Sequence, residues 1–408
     1  MGIRVKDIIK LESFKKMKLI GGKVGLDKNV DWVYVAECFE NPFESVKWLY
    51  GGEIVFITGR GIKEDEDLLE NLIKGFGEKD IAGLIINIGP YIKHIPKKII
   101  NLSDELKLPL FELPWEVRIT EASQEIYTAI AMSRVQENSI SNFFNDLLFG
   151  KEHIEGNLVE KASYFGYNLS GECRVYIVDI DRFSEYIKLN NIKDESEISE
   201  IKIKLMKIIQ DILERYNIRV PMLYKNDSVV FLYRFQENRI NELDMALNQI
   251  KNNVVEEIKD ISVSIGIGDY YNDLNKMKQS FKEAELALKK IKITKLKNSI
   301  LEYKNIGVYQ LLFSIEDNES LKKYCKNTLN PIIKYDNINN SQLVETLELY
   351  LDENCNITTT SKKLFLHRNT LRYRVKKIEE LLDLDLHDFN QCIKLKMALE
   401  VKKIIGEN

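Results

Sequence analysis

The chain has 408 residues, of which 44% are hydrophobic and 30% are charged, and its formal net charge at pH 7 is −4. These values are typical of a soluble protein with about three domains and exclude a protein that coats nucleic acid through a general positive charge. No apolar run reaches the roughly 18 to 20 residues that span a bilayer, and the charged N-terminus excludes an ordinary signal peptide. We therefore expect a cytoplasmic protein without a membrane partner.

The cysteines and histidines of the chain are scattered. They form no CxxC, HExxH or HxxxH spacing, so we expect free thiols and no metal site. There is also no GxSxG motif and no P-loop, and we expect no cofactor and no catalytic residues of these classes. The sequence is thus not that of an enzyme with a familiar catalytic motif.

Residues 1–122 alternate apolar runs with helical patterns. After a first helix over Val5 to Leu19, the predicted strands are Val30 to Ala36, Glu53 to Thr58, Ala82 to Ile88 and Pro109 to Leu113. The helices predicted between the later strands are Glu64 to Phe76 and Pro96 to Leu106. Strands that alternate with helices predict a parallel sheet covered by helices, which is an α/β domain.

Ligands of such sheets bind outside the carboxyl ends of the strands. The candidate ligand-binding residues at these ends are Glu37, Thr58, Gly59, Arg60, Asn87, Gly89, Glu112 and Trp115. An arginine beside glycines can hold a carboxylate or ureido group, and Trp115 can provide a flat wall. Each has an equal structural alternative: Trp115 as a core aromatic, and Gly59 and Gly61 as turn residues.

Residues 123–150 are predicted to be a connector helix. The helical pattern runs from Ile119 to Phe149 with no proline or glycine before Gly150. A helix of this length that leaves a small domain usually packs against a partner. We therefore expect the seam of a homodimer or higher homo-oligomer here, and the alternative is a helix that folds back onto its own domain.

Residues 151–300 show a third pattern, a mixture of strands and amphipathic helices that predicts an α+β domain. The predicted strands are Arg174 to Ile180, Ser228 to Phe235 and Ile261 to Gly268, and the predicted helices are Ser196 to Tyr216 and Leu274 to Ile293. Residues 301–336 are predicted to be a helical linker that ends near Pro331. Residues 337–408 then form an all-α domain.

Two helices joined by a tight turn at Leu366 and His367 dominate the last domain. In the second helix, which begins near Arg368, a buried stripe is predicted for Leu371, Val375, Ile378 and Leu382. The opposite face is basic, and no Asp or Glu occurs between Thr358 and Ile378. Such a local positive charge suits phosphates.

Asparagine and arginine near the start of a helix can read base edges in the major groove, as in the recognition helix of a helix-turn-helix motif. The candidate DNA-binding residues are Asn369, Arg372 and Tyr373 for bases, Arg368, Lys376 and Lys377 for phosphates, and Thr370 beside them. Arg374 flanks the buried stripe, so a structural role is an equal alternative to a DNA contact. The alternative for the whole helix is a solvated basic surface that covers a core.

The run LFLHRNTLRYRVKKIEELLDLDL, followed by CIKLKMALEVKKI, resembles the C-terminal helix-turn-helix of PucR/CdaR-type bacterial transcriptional regulators. This resemblance implies that His367 to Arg374 open the recognition helix and that Ser341 to Asp352 and Asn390 to Ile404 are supporting helices. The runs GGEIVFITGRG and LPLFELPWEVRITE resemble the N-terminal PucR domain, which is regarded as sensory. The implied partners are a double-stranded DNA operator and a small-molecule effector.

The fragments VDIDRF, SVSIGIG and AELALKKIK resemble GGDEF-type nucleotide cyclase domains. In an active cyclase an acid on the first strand and an acid in the GGDEF hairpin hold metal, and the paired glycines let the backbone approach the nucleotide. Asp179 matches the first acid, but the hairpin reads Lys225-Asn226-Asp227-Ser228-Val229, without either glycine or the second acid. We therefore expect a degenerate domain that transmits a signal or dimerises.

In that domain Asp179 and Asp181 are then expected to cap or pair at a strand end.

The chain as a whole is predicted to be a sequence-specific DNA-binding regulator that a metabolite controls through the N-terminal domain. The alternatives are a nucleotide-binding receptor and a weak diguanylate-cyclase-like enzyme that acts through the middle domain.

Overall fold

The computed structural model describes residues 3–36, 42–62, 65–150, 156–315 and 317–406. The chain forms two compact units, residues 1–143 and residues 144–408. None of the described helices combines the length and the apolar character of a membrane span. The predicted fold class is confirmed: an α/β domain is followed by an α+β domain and an all-α domain.

The first unit is built on a sheet of five strands. These are β1 (Lys18–Gly21), β2 (Trp32–Ala36), β3 (Glu53–Ile57), β4 (Gly83–Ile88) and β5 (Leu110–Pro114). Their order is β1-β5-β4-β3-β2; β2 to β5 are parallel, and β1 pairs with β5 in the antiparallel direction. The helices are α1 (Val5–Ile8), α2 (Pro42–Lys47), α3 (Glu66–Glu78), α4 (Lys97–Glu105) and the first part of α5 (Ile119–Phe149), which continues into the second unit.

Both faces of this sheet are buried, which explains why Ile54 to Ile57 of β3 are all apolar. One face packs Val55, Ile57 and Ile86 against Leu72 and Phe76 of α3 and against α4. The other face packs against the N-terminal segment and the start of α5 through residues that include Ile54, Phe56, Ala122, Ile126 and Ile130. The unit therefore has three layers, and the first part of α5 folds onto its own domain.

The predicted first helix over Val5 to Leu19 is wrong. Only α1 is helical in the α sense; a 3-10 turn at Glu12–Phe14 follows, and the chain then enters β1. The carboxylate of Glu125 accepts hydrogen bonds from the backbone N–H groups of Glu12 (2.8 Å) and Ser13 (2.9 Å), which fixes the turn. The apolar spacing of the segment is satisfied by turns that pack on the sheet, so it does not require one continuous helix.

The second unit contains another five-stranded sheet. Its strands are β6 (Cys173–Ile180), β7 (Met222–Lys225), β8 (Ser228–Arg234), β9 (Val263–Ile267) and β10 (Ile300–Glu302), in the order β10-β9-β6-β8-β7. Its helices are α6 (Leu158–Tyr164), α7 (Phe183–Leu189), α8 (Glu195–Arg215), α9 (Ile240–Glu257) and α10 (Met277–Ile293). Helices α8 and α9 pack on one face, and α10 contacts β6 and β9.

The all-α part contains α11 (Tyr309–Ser314), α12 (Asn318–Asn339), α13 (Leu343–Asp352), α14 (Ile357–Lys363), α15 (Arg368–Leu382) and α16 (Phe389–Ile405). The segment 301–336, expected as a linker, contributes Leu329 and Ile332 of α12 to the same core as Leu371 of α15 and Leu395 of α16. Pro331 lies inside α12 and does not end it. Burial of the residues on both sides of Pro331 offsets the loss of one backbone N–H donor.

Candidate nucleic-acid interface

Helices α14 and α15 form the helix-turn-helix. The Oδ1 atom of Asn356 accepts the backbone N–H groups of Thr358 (2.8 Å) and Thr359 (3.1 Å) and so caps the start of α14. His367 caps α15, because its Nδ1 atom accepts the backbone N–H of Asn369 at 3.3 Å. The predicted turn at Leu366 and His367 and the predicted start of the second helix at Arg368 are confirmed.

The inner face of α15 is the predicted apolar stripe. Leu371, Val375 and Ile378 are buried in the core of the all-α part, and Leu382 packs against it partly buried. The Arg374 guanidinium donates from Nη1 to Thr346 Oγ1 of α13 at 3.0 Å. Arg374 therefore joins two helices, the structural alternative that its position beside the stripe allowed.

The outer face of α15 presents almost every predicted DNA-binding residue to solvent. The exposed side chains are Arg368, Asn369, Thr370, Arg372, Tyr373 and Lys376. Within the described part of the chain, no carboxylate pairs with Arg368, Arg372 or Lys376. Their positive charges are thus available to an anionic partner, and Asn369 and Tyr373 add hydrogen-bonding groups to the same face.

Lys377 differs from the other predicted DNA-binding residues. Its side chain is only 28% exposed, its Nζ atom lies 3.3 Å from Glu380 Oε2, and it sits over the ring of Tyr335 at 5.6 Å from the centroid. The structure places Lys377 at the edge of the exposed face, where an internal partner already balances its charge. Sequence spacing alone could not show this, because Tyr335 comes from α12.

Phe365 is a residue that the sequence reasoning missed. It lies in the turn before α15, and its side chain is 95% exposed. The sequence already contained a sign of its exposure, because an aromatic residue stands in a turn that needs no apolar side chain.

The predicted ligand-binding residues of the first unit lie around the carboxyl ends of β3, β4 and β5. Thr58, Gly59 and Arg60 follow β3 directly. Gly59 has φ +75°, and a Cβ there would lie 2.4 Å from the Ile92 side chain, so this position requires glycine for the turn. Arg60 is exposed. Glu37 lies outside the described residues.

The remaining candidates in this region divide into structural and accessible ones. Asn87 is buried and donates from Nδ2 to the carbonyl oxygens of Leu113 (3.2 Å) and Pro114 (3.1 Å), so it ties β4 to β5. Glu112 is half-buried within β5, opposite Lys18 of β1. These two residues belong to the sheet more than to its edge.

Trp115 is 44% exposed, so it is not a core aromatic. Its ring packs over Gly89, where a Cβ would lie 2.7 Å from the ring, and makes an edge contact with Tyr91 at a centroid distance of 5.9 Å. An aromatic ledge thus stands at the carboxyl end of the sheet. A separate cavity of about 160 Å³ lies nearby and is lined by Asp65, Glu66, Leu69, Ile92, Lys93, His94 and Pro96.

In the middle domain Asp179, near the end of β6, and Asp181, just after it, both have hydrogen-bonding partners, as expected. Asp179 is buried; its Oδ1 accepts from Ser228 Oγ at 2.6 Å, and its Oδ2 lies 2.8 Å from Lys292 Nζ. The carboxylate of Asp181 accepts the hydroxyls of Ser262 and Ser264, both at 2.7 Å. The residues at Asp179 do not fit the metal of an active cyclase, because a hydroxyl and an ammonium already engage both oxygens.

The degenerate hairpin also lines the space beside Asp179. Lys225 Nζ lies 3.9 Å from the ring centroid of Phe149 and 4.3 Å from that of Phe281. Asn226 adopts φ +55° in the turn between β7 and β8. The remaining cavity, about 350 Å³, is lined by residues that include Asp179, Lys225, Asp227, Glu285, Lys289 and Lys292. Burial raises the pKa of Glu285.

Three family models match the chain in the order of its domains. Residues 7–130 match the purine catabolism regulatory protein-like family, residues 150–289 match the GGDEF-like domain, and residues 343–401 match the PucR C-terminal helix-turn-helix domain. The matched segments therefore contain the sheet of the first unit, most of the middle domain, and the helix-turn-helix.

Several proteins of Bacillus subtilis (strain 168) are similar to the chain. The proline-responsive transcriptional activator PutR is 37% identical over 142 residues, which are 35% of this chain and 34% of PutR. The DNA-binding transcriptional activator AdeR is 24% identical over 65% of this chain and 60% of AdeR, so the chain spans less than two thirds of both relatives.

A third protein of the same organism aligns from end to end. The purine catabolism regulatory protein is 23% identical in an alignment that covers 99% of this chain and 100% of that protein. This alignment spans all three domains that the family models match. The chain belongs to the PucR/CdaR-type family of transcriptional regulators, with an N-terminal PucR domain, a GGDEF-like middle domain and a PucR helix-turn-helix.

Proposed function

We propose that the chain regulates transcription by sequence-specific binding to a double-stranded DNA operator through α15. The observation that carries this proposal is the exposed face of Asn369, Arg372, Tyr373 and Lys376, which lies opposite a buried stripe on a helix capped by His367. A helix anchored in this way can enter the major groove as a rigid element.

Roles on this face follow from side-chain chemistry. Arg372 can donate two parallel hydrogen bonds to guanine, and Asn369 can pair with adenine in the same manner. Arg368 and Lys376 suit phosphates, which position the helix without reading sequence. Thr370 and Tyr373 complete the exposed surface. Lys377 contributes less, because Glu380 already neutralises it.

The effector of the proposed regulator is a small metabolite bound at the carboxyl edge of the first sheet. The aromatic ledge of Trp115 and Tyr91 and the exposed guanidinium of Arg60 support this location. PutR is named as proline-responsive, and another relative is named for purine catabolism. These names suit effectors with carboxylate or ureido groups, which an arginine can bind.

The middle domain is proposed to transmit the signal without catalysis. The pairing of Asp179 with Lys292 and Ser228 supports this proposal, because the acid cannot hold a metal ion while both partners remain in place. The cavity of about 350 Å³ is the observation that favours a nucleotide-binding receptor as a second function. Incubation with GTP and magnesium tests for turnover, and calorimetry with guanine nucleotides tests for binding alone.

Selection of bound sequences from a random duplex library tests the main proposal. The wild-type protein should enrich a motif with two half-sites about 34 Å apart, the spacing that a dimer of recognition helices requires. Arg372→Ala should lose the enrichment at one base pair of each half-site, because discrimination of about 1 to 3 kcal/mol per bidentate contact disappears. The selection is repeated with a pool of metabolites.

The control must remove a positive charge from the surface, so the buried Arg174 is not suitable. Lys323→Ala, an exposed substitution on α12, is the matched control and should enrich the wild-type motif. A wild-type protein that enriches no motif with or without metabolites contradicts the proposed function.

A further inference from the structure

Phe365 combines two properties that folding does not favour. Its side chain is 95% exposed, and its backbone adopts φ +53°. Among the described residues with positive φ, Phe365 is the one aromatic. A bulky side chain in the left-handed region is disfavoured, and an exposed phenyl ring gains nothing from burial.

The turn itself explains the backbone conformation but not the side chain. The N–H of Leu366 donates to Ser361 O (2.9 Å), and the N–H of Phe365 donates to Lys362 O (3.2 Å). These two bonds form a Schellman motif, in which the residue at the position of Phe365 is left-handed and is most often glycine. Glycine would therefore close the same turn with less strain, so the phenyl ring must serve something other than the turn.

The surroundings of the ring indicate the chemistry of its partner. Lys362 precedes it and Arg368 follows it, and both side chains are exposed without a carboxylate partner among the described residues. Lys363 is also exposed, but Glu353 already pairs with it at 2.5 Å. An apolar ring among cations suits a surface that offers negative charge and apolar groups together. The major groove of DNA is such a surface, because phosphates border it and the C5-methyl of thymine is the apolar group that projects into it.

We propose that Phe365 is a DNA-contacting residue whose ring packs on a thymine methyl group in the major groove, at the edge of the bases that Asn369 and Arg372 read. The proposal rests on the proposed function, since it requires α15 to enter that groove. It extends the reading surface from the helix into the turn. It also explains why a phenyl ring stands where the turn alone would favour glycine.

Phe365→Gly is the informative variant. Glycine adopts the left-handed conformation without strain, so the melting temperature should equal or exceed that of the wild type. Affinity for the selected operator should nevertheless fall about tenfold. Phe365→Asn, which also tolerates this conformation, should behave in the same way. A matched control is Phe389→Ala, which removes an exposed aromatic from the start of α16 and should leave affinity unchanged.

Operators with single thymines replaced by deoxyuridine test the contact directly, because the replacement removes only the methyl group. For the full-length wild type, one such replacement per half-site should weaken binding about fourfold, which corresponds to about 0.8 kcal/mol for one buried methyl group. Phe365→Gly should bind the thymine and deoxyuridine operators equally. Anisotropy titrations of labelled duplexes provide the dissociation constants.

The outcomes separate this proposal from the proposed function. If Arg372→Ala loses affinity while Phe365→Gly does not, the regulator function stands and the thymine contact is wrong. If Phe365→Gly loses affinity but remains as sensitive to deoxyuridine as the wild type, the ring contacts another part of the duplex and the thymine contact is also overturned. A wild type that shows no specific DNA binding removes both.

Discussion

At the residue scale, adjacent lysines of α15 have different environments. Lys376 is exposed and no carboxylate of the described chain pairs with it, whereas Lys377 is half-buried beside Glu380 and the ring of Tyr335. The sequence predicted correctly which residues form the exposed basic face, because helical periodicity determines which side chains share a face. It could not rank the lysines, since their partners come from contacts that periodicity does not encode.

This difference predicts unequal effects on DNA binding. Lys376→Ala should weaken binding to operator and scrambled duplexes by a similar factor and reduce the slope of log affinity against log salt by about 1, as expected for one lost phosphate contact. Lys377→Ala should change the slope less. Titrations at several salt concentrations measure both slopes. Equal slopes for the two variants would place Lys377 on the DNA despite its ion pair.

At the element scale, α5 shows both the strength and the limit of sequence reading. Its bounds, Ile119–Phe149, agree with the predicted helical pattern, because no proline or glycine interrupts it before Gly150. Ala122, Ile126 and Ile130 pack on the first sheet. Periodicity predicted an apolar face of the helix but did not show what that face packs against. The edge strand β1 escaped prediction for a related reason. It has only four residues, and its extended conformation depends on pairing with β5 more than on local preference.

The central part of α5 carries the proposed homodimer seam. Met132 is 68% exposed and Val135 is 65% exposed on this stretch. Replacement of both by Asp should convert dimers to monomers, because burying two carboxylates in an apolar seam is unfavourable. Sedimentation velocity measures the change. Met245→Asp, at a methionine of α9 that is 60% exposed, is the control. If the doubly substituted chain remains dimeric, the seam lies elsewhere.

At the scale of the second unit, a buried cluster joins the middle domain to the all-α part. Tyr309 Oη of α11 donates to Glu400 Oε2 of α16, and Lys290 Nζ of α10 donates to Ile306 O at 3.1 Å. Burial raises the pKa of Glu400, but the Tyr309 hydrogen bond and the Lys396 ammonium outweigh it, so the net pKa lies below its ordinary value. None of these partners was foreseen, because α16 is distant in sequence from α10 and α11, and helical periodicity does not show which helices meet.

The lowered pKa of Glu400 gives a pH-dependent prediction. A depressed carboxyl pKa contributes stability above the unfolded value, near 4.5, and this contribution is lost as the pH falls through the folded value. Tyr309→Phe should therefore lower the free energy of unfolding by about 1 to 2 kcal/mol at pH 7 and by less under acidic conditions. Denaturant titrations at both pH values test this. The exposed Tyr164→Phe should be neutral throughout.

The pairing of Asp179 with Lys292 has a consequence for the surroundings in which the middle domain can fold. A site that binds a divalent ion gains stability from that ion, so its stability depends on the concentration of the ion. Here the positive charge is part of the polypeptide, held 2.8 Å from the carboxylate by α10. Lys292 thus neutralises Asp179 in place of a metal ion. A chelator or a change in magnesium concentration should therefore leave the unfolding transition of the domain unchanged.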